Sequence, residues 1–294
     1  MTAMFGIIDN PTSGKGRSDA LIEKVTAMIS ERGAEWRMFE TECVNDGARQ
    51  AQLAIDAGCD SIVCIGGDGT LSEVVSVLAG KDVTLYIVPH GTGNDFARAY
   101  HVTGDPAQAF AAQLDGEPQR IDLGSVNGKP FLNVSGTGFD VDVLKKTEEL
   151  KSVYPGGKAY RKAVLSVLSQ YQPKEIEIAI DGGAPQHKRV TIVEVANGQY
   201  FGGGMQVAPG ARYDDAVFDV VEIKPVKSWM IPFLLPLFIL GIHVYIPIVK
   251  VTKAKRLTIT AENMTINIDG RLEEMKRAEY EILPGALRVM KPKK

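Results

Sequence analysis

The sequence predicts an α/β protein with an N-terminal parallel-sheet domain and a β-rich C-terminal domain. Strand-like and helical patterns alternate through the first 120 residues, the order expected of parallel strands with helices on the faces of their sheet. From Gln119 onward the alternation stops and strand patterns dominate. Glycine-bearing turns follow the third and fourth strand-like runs, at the sheet edge where such folds place ligands.

Residues 4–9, 35–40, 61–65 and 84–88 are short strand-like runs, each predicted as a strand. Between them, apolar spacing predicts helices over 18–32, 45–57 and 71–78; in the last, positions 71, 74, 75 and 78 share one face. Strands are expected next at 119–126 and 130–135, then a helical region over 141–170 broken at Pro155-Gly156-Gly157. Strand patterns complete the chain at 175–181, 190–196, 217–223, 256–260, 265–268, 279–283 and 286–290. The division falls between residues 115 and 120, giving domains 1–118 and 119–294, with the closing residues free to pack back on the first.

At 294 residues and 45% hydrophobic, the chain can bury an ordinary core and is neither disordered nor fibrous. Cys43, Cys59 and Cys64 form no C-x-x-C pair and no even set, so a reducing cytoplasm is the expected compartment. The first strand-like run begins at once, without a basic segment or an apolar leader, so export is not expected. A net charge of −3 argues neither for nor against a nucleic-acid partner, and none is expected. Residues 250–294 carry 11 Lys/Arg against 6 Asp/Glu, and residues 145–174 carry 7 against 2. These basic stretches read either as solvated faces or as attraction to anionic lipid headgroups.

Gly66-Gly67-Asp68-Gly69-Thr70 follows the third strand and opens the helix over 71–78. Its glycines remove the Cβ atoms that would keep a phosphate from the backbone, and a helix N-terminus favours negative charge. Asp68 would repel that phosphate unless a cation stood between them, so the turn reads as a nucleotide site working with Mg²⁺. A second turn, Gly91-Thr92-Gly93-Asn94-Asp95, follows the fourth strand and supplies another carboxylate at the same edge. After the first strand, Asn10-Pro11-Thr12-Ser13-Gly14-Lys15-Gly16 lacks the leading glycine and the closing Ser or Thr of the G-x-x-x-x-G-K-[ST] loop, which is rejected. No G-x-G-x-x-G follows that strand either, which argues against a dehydrogenase.

Residues 229–249 contain no Asp, Glu, Lys or Arg, long enough to span a bilayer by length alone. Pro232, Pro236, Pro247 and His243 interrupt them, and strand patterns resume directly afterwards, so a span is not expected. A buried hairpin and a lipid-facing element docked at the interface remain as alternatives.

Taken together, Asn10-Pro11-Thr12-Ser13-Gly14, Gly66-Gly67-Asp68-Gly69-Thr70, Pro89-x-Gly91-Thr92-Gly93-Asn94-Asp95-Phe96-Ala97-Arg98 and Phe201-Gly202-Gly203-Gly204-Met205 through Asp215 resemble the lipid kinases of the diacylglycerol kinase and sphingosine kinase family, nearest to its bacterial soluble members. The resemblance covers essentially the whole chain, including Gly156-x-x-Ala159-Tyr160, Gly241-x-His243 and Glu281-Ile282-Leu283-Pro284-Gly285-Ala286-Leu287. It implies ATP- and Mg²⁺-dependent transfer of phosphate to a hydroxyl of diacylglycerol or a related lipid, in a cleft between a nucleotide-binding domain and a lipid-binding domain. It assigns nucleotide contacts to Asn10, Pro11, Thr12, Ser13, Gly14, Thr41, Gly66, Gly67, Asp68, Gly69, Thr70, Leu71, Ser72, Glu73, Thr92 and Asn94. A catalytic, Mg²⁺-linked acidic pair falls on Asp68 and Asp95, and a second, structural Mg²⁺ on Arg212, Asp215 and Val217, the outer two through carbonyls. Ala216 replaces the glycine usual in that loop. The implied setting is the cytoplasmic face of a membrane, with peripheral contact through residues 229–249 and homodimer formation left open.

One departure bears on turnover. Many family members carry Asp-Gly-Glu where this chain has Asp269-Gly270-Arg271, and the glutamate is assigned as the base for the lipid hydroxyl. A guanidinium cannot accept a proton. Three readings stay open: Asp269, Glu273 or Glu274 takes over, with Asp269 the first candidate; a loose transition state needs no base; or the chain is a catalytically weak relative that binds nucleotide and membrane. An NAD kinase-like enzyme is a further alternative, since Gly-Gly-Asp-Gly-Thr is similar to a motif of NAD kinases and phosphofructokinases.

Overall fold

Strands covered on both faces form unbroken apolar runs, and the inner strands of the first domain are of this kind. The computed structural model describes residues 3–11, 19–43, 45–154 and 157–293. β1 (Met4–Asp9), β2 (Glu35–Glu40), β3 (Ser61–Gly66) and β4 (Thr84–Pro89) pair in parallel in the order β2-β1-β3-β4. On one side of this sheet Ile8 joins a core with α2 (Gly47–Asp56) and α3 (Asp68–Leu78); on the other, Phe5 and Ile7 pack with α1 (Asp19–Glu31). α3 buries Leu71, Val74, Val75 and Leu78, at roughly 1.5–3 kcal/mol for each large apolar side chain. That burial fixes the helix N-terminus, and with it Asp68, at the end of β3.

Two further helices follow β4 where no helix was expected: α4 (Asp95–Ala99) and α5 (Pro106–Leu114). α5 begins on a side-chain cap, with the Gln108 N–H donating to Asp105 Oδ1 at 3.0 Å and Pro106 at the first turn.

The second domain contains β5 (Glu117–Val126), β6 (Lys129–Phe131), β7 (Val134–Gly138), α6 (Phe139–Lys151), α7 (Gly157–Gln170), β8 (Lys174–Ile180), β9 (Gln186–Val190), β10 (Ile192–Ala196), β11 (Tyr200–Phe201), β12 (Met205–Gln206), β13 (Phe218–Ile223), α8 (Ile231–Ile239), β14 (Val249–Ala254), β15 (Arg256–Ile268) and β16 (Arg271–Lys291). Its main path runs β14-β13-β10-β7-β15-β16 in antiparallel pairs. β16 pairs with β15 and β5, and its last residues lie parallel to β4, Arg288 opposite Thr84 and Val289 opposite Leu85. Ile121, Leu123, Leu287 and Val289 therefore complete the core of the first domain.

The strands expected at 256–260 and 265–268 are one strand with a bulge between Thr260 and Met264. Those expected at 279–283 and 286–290 are likewise one, with an irregularity between Leu283 and Leu287 that absorbs Pro284 and a left-handed Gly285 at φ +59°. The helical region is two helices, α6 and α7; the predicted break at Pro155 and Gly156 lies outside the described residues.

Residues 229–248 contain α8 flanked by short 3-10 turns at Ser228–Met230 and His243–Tyr245, and several of their large apolar side chains, Phe233 and Leu240 among them, are exposed rather than buried. Pro232 is tolerated because a first-turn proline gives up no helical hydrogen bond. His243 is buried, stacked on Phe238 at 3.8 Å between ring centroids, with Nε2 2.9 Å from the Val207 carbonyl. Among the described residues no helix is long and apolar enough to cross a membrane.

Candidate active site

Three glycine-bearing turns meet beyond the carboxyl ends of β3 and β4. In the first, Gly67 precedes α3 in an extended conformation and Asp68 is the first helical residue. The Asn10 side-chain amide donates to Thr70 Oγ1 at 2.8 Å, tying the turn after β1 to α3. In the second, Asn94 adopts the left-handed region at φ +53° and closes the turn on itself: the Gly91 N–H donates to its Oδ1 at 3.0 Å, and its Nδ2 donates to the Gly91 carbonyl at 2.9 Å. The two turns are in backbone contact, since a Cβ added to Gly67 would lie 3.0 Å from Gly91 Cα. The third is the β11–β12 hairpin, whose Gly203 N–H donates to Asp95 Oδ2 at 2.9 Å.

These contacts orient the two carboxylates. Asp68 Oδ1 accepts from the Asp95 N–H at 2.7 Å, and a Cβ on Gly93 would sit 2.6 Å from Asp68 Oδ2. Burial raises the carboxyl of Asp68, while nearby backbone N–H groups lower it. Burial pushes Asp95 up to about 6; the Gly203 N–H opposes this and the charge of Asp68 adds to it. Asp95 Oδ1 is buried without a hydrogen-bond partner, an arrangement that a cation would relieve. The acidic pair thus fits a divalent ion.

The turns line one end of a cavity of about 1090 Å³. Its other end is apolar, formed by Phe139, Val143 and Leu144 near the start of α6, by Ile192, and by Ile231, Leu234, Leu235 and Phe238 of α8. One continuous space therefore joins a polar turn cluster to a greasy channel.

Of the residues expected to contact nucleotide, Asn10, Gly67, Asp68, Gly69, Thr70, Glu73 and Thr92 line this cavity. Thr12, Ser13 and Gly14 lie outside the described residues. Gly66, Leu71, Ser72 and Asn94 stand just behind the wall: Leu71 is core, Asn94 shapes its turn, and Ser72 Oγ accepts from Arg271 at 3.4 Å. Glu73 Oε2 accepts the Gly47 N–H at 2.7 Å, which fixes α2 against α3. Thr41 is buried after β2, its N–H donating to the Asp9 carbonyl at 2.9 Å, and Pro11 follows β1; neither lines the cavity.

Arg212, Asp215 and Val217 lie in a separate loop before β13. The Lys253 ammonium donates to Asp215 Oδ2 at 3.0 Å and to Asp219 Oδ2 at 2.8 Å, while Asp215 Oδ1 is buried without a partner and fits a cation. Ala216 holds the left-handed conformation, φ +56°, that glycine adopts without strain. Its N–H donates to Asp122 Oδ2 at 2.7 Å.

Asp269 lines the cavity, but its two oxygens accept the backbone N–H groups of Leu132, Asn133 and Val134. Its carboxylate fastens the β6–β7 connection to the β15–β16 turn through three of its roughly four lone-pair sites. Burial raises this carboxyl, while the three N–H groups and the charge of Arg271 lower it. Glu273 pairs with Lys129 and Glu274 with Lys145, and neither lines the cavity. Arg271 does line it.

Sequence reasoning missed a second pair of carboxyls. Glu194 of β10 is fully buried beneath Gly136, where an added Cβ would collide with its Oε2, and it meets Asp140 of α6, a residue of the cavity wall. Burial pushes Asp140 up to about 6 and Glu194 well above the usual carboxyl range, so the two carboxyls share a proton. The small residue at 136 was the available signal, but only strand pairing reveals what it makes room for. Because the folded state holds the Glu194 proton more tightly than the unfolded chain, whose value is about 4.3, stability falls as pH rises above that value. Glu194→Gln, which still donates to Asp140, is expected to raise the melting temperature relative to wild type by a margin that widens from pH 5 to pH 8. A margin independent of pH in thermal melts would refute the shared proton.

Residues 4–126 match the diacylglycerol kinase catalytic domain, and residues 133–291 match the YegS C-terminal NAD kinase beta sandwich-like domain. The chain is 30% identical to a diacylglycerol kinase of Mycobacterium tuberculosis, over 97% of this chain and 94% of that one. It is 31% identical to a diacylglycerol kinase of Bacillus subtilis, over 98% and 96%. A crystal structure of a diacylglycerol kinase from Bacillus anthracis superimposes with a TM-score of 0.74 at 23% identity, covering 98% of this chain and 96% of that one, which supports the fold. With the turns and paired carboxylates described above, these likenesses make the chain a phosphotransferase, a kinase that acts on lipids. It belongs to the diacylglycerol kinase family.

Proposed function

We propose that this protein transfers the terminal phosphoryl group of ATP, with Mg²⁺, to a hydroxyl of diacylglycerol or a related lipid. The observation that carries the reading is the single cavity with paired carboxylates and glycine turns at one end and an apolar channel at the other. The turns after β3 and β4 offer backbone N–H groups and a helix N-terminus to the phosphates. Asp68 and Asp95 would hold Mg²⁺, which when bound neutralises charge on the phosphates. Asp215 and the carbonyls of Arg212 and Val217 would hold a second, structural ion. The lipid chains lie among Phe139, Leu234 and Phe238, which directs the hydroxyl toward the turns. In the reaction the bond from the terminal phosphorus to its bridging oxygen breaks, a bond to the lipid oxygen forms, and the hydroxyl proton passes to water as ADP leaves. A loose transition state demands little proton removal beforehand, so the engagement of Asp269, Glu273 and Glu274 elsewhere is compatible with turnover. Incubation with Mg²⁺, labelled ATP and mixed vesicles containing diacylglycerol is expected to place label in the organic phase; no label with any lipid would overturn the proposal.

The same reading includes docking of α8 at a membrane surface. Phe233 is 71% exposed, Trp229 64% and Tyr245 83%, on the segment whose inner face lines the channel. Exposed Lys224, Lys227 and Lys250 flank it, the arrangement that suits anionic headgroups. Replacing Trp229 and Phe233 together by serine is expected to lower co-sedimentation with anionic vesicles about tenfold or more, from lost apolar burial, while ATP binding holds. Unchanged sedimentation would refute the docking surface.

A further inference from the structure

A cleft that receives a nucleoside triphosphate has to offset several negative charges. Among the described residues that line this one are six carboxylates, Asp68, Glu73, Asp95, Asp140, Glu148 and Asp269, and one basic side chain, Arg271. Arg271 opens β16 immediately after a tight turn in which Asp269, at φ +47°, and Gly270, at φ +91°, are both left-handed. From there it crosses from the second domain to the first. One terminal nitrogen donates to Ser72 Oγ on α3 at 3.4 Å, near the limit of a hydrogen bond and so a loose tether. The charges of Glu73 and Asp269 attract it. Its Nε is buried without a partner. The guanidinium thus stands over the first turns of α3, whose opening residues line the same cavity, with donor capacity left over.

A planar guanidinium with unused N–H groups matches the edge of a phosphate in a way that a point charge does not. We propose that Arg271 is a phosphate-binding residue of this site, its guanidinium taking the oxygens of a phosphoryl group held in the cleft. The group is the terminal phosphate of the nucleotide or a phosphate on the acceptor lipid. The weak Ser72 tether holds the side chain in place until that ligand arrives. Residue 271 then contributes charge compensation at the phosphate, and its inability to accept a proton is no defect. This inference rests on the nucleotide reading above.

The test compares Arg271→Gln, Arg271→Lys and Arg271→Glu with wild type, after thermal melts establish that each variant is folded. Binding of ATP and of ADP with Mg²⁺ is measured by calorimetry, which needs no turnover. A chain that binds ATP but labels no lipid would therefore refute the proposed reaction and leave this inference testable. Label transfer to neutral diacylglycerol and to a phosphate-bearing lipid alcohol is measured separately. If the nucleotide is the source, Arg271→Gln loses the preference for ATP over ADP by about tenfold or more, and Arg271→Lys recovers only part of it, because a lysine restores charge without the fork. If the lipid is the source, the ATP preference is unchanged and transfer to the phosphate-bearing acceptor falls selectively. Full recovery by Arg271→Lys on both readouts would reduce the residue to a brace between domains and overturn the proposal. Unchanged behaviour of Arg271→Gln, or faster transfer by Arg271→Glu than by wild type, would overturn it as well.

Discussion

Asp68→Ala is expected to lower phosphate transfer by roughly 10³-fold or more, the scale of removing one electrostatic element from a phosphoryl-transfer or oxyanion site. Two effects combine. The site loses half of its acidic pair, and the Asp95 N–H at the start of α4 loses its acceptor at 2.7 Å. Asp68→Asn separates them, because the amide oxygen still accepts that N–H while the charge is gone. Both variants should be inactive in the vesicle assay, and only the alanine variant should also lose thermal stability. Full activity in either would refute the role given to Asp68.

Gly91→Ala is expected to disable the site through the backbone alone. An added Cβ would collide with Gly67 Cα and sit 2.9 Å from Asn94 Oδ1, so relief requires the two phosphate-facing turns to move apart. Overpacking of this kind costs roughly 1–3 kcal/mol, or several degrees in melting temperature. Because Asp95 and Asp68 are oriented by the same turns, ATP affinity should fall by about tenfold or more. Gly69→Ala is the control: its Cβ would meet nothing within 4 Å and alanine suits the first turn of α3 better than glycine, so the melting temperature should hold or rise slightly. A Gly91→Ala protein that melts and binds ATP like wild type would show that the turns do not depend on this contact.

The site was legible where its chemistry lies at strand ends. Gly66 to Thr70 and Gly91 to Asp95 stand out because two turns that each combine glycine with a carboxylate follow neighbouring strands, and the shared edge of a parallel sheet predicts that they meet. That their backbones touch, and that Gly203 from a hairpin more than one hundred residues later steadies Asp95, required the tertiary structure. Asp269 was legible as a carboxylate near the site, but that its oxygens also hold the backbone of residues 132–134 required the tertiary structure. In the fold, Asp105-Pro106 was a usable start signal for α5 that strand alternation overshadowed. The charge-free run over 229–249 announced an unusual surface, but its prolines concealed a helix that carries Pro232 in its first turn and Pro236 in its interior.

β16 has a mechanical consequence. At roughly 3.3 Å per residue its 21 residues extend on the order of 70 Å, one beam nailed to β15 and β5 and, at its far end, to β4. The lobes on either side of the cleft are therefore not two jaws on a slack strap. Their spacing is set by the stiffness of one shared strand, whose soft joint is the irregularity at Pro284-Gly285. Nor can either lobe be excised intact: cutting before β16 removes an inner strand from the second sheet and strips β4 of its neighbour in the first.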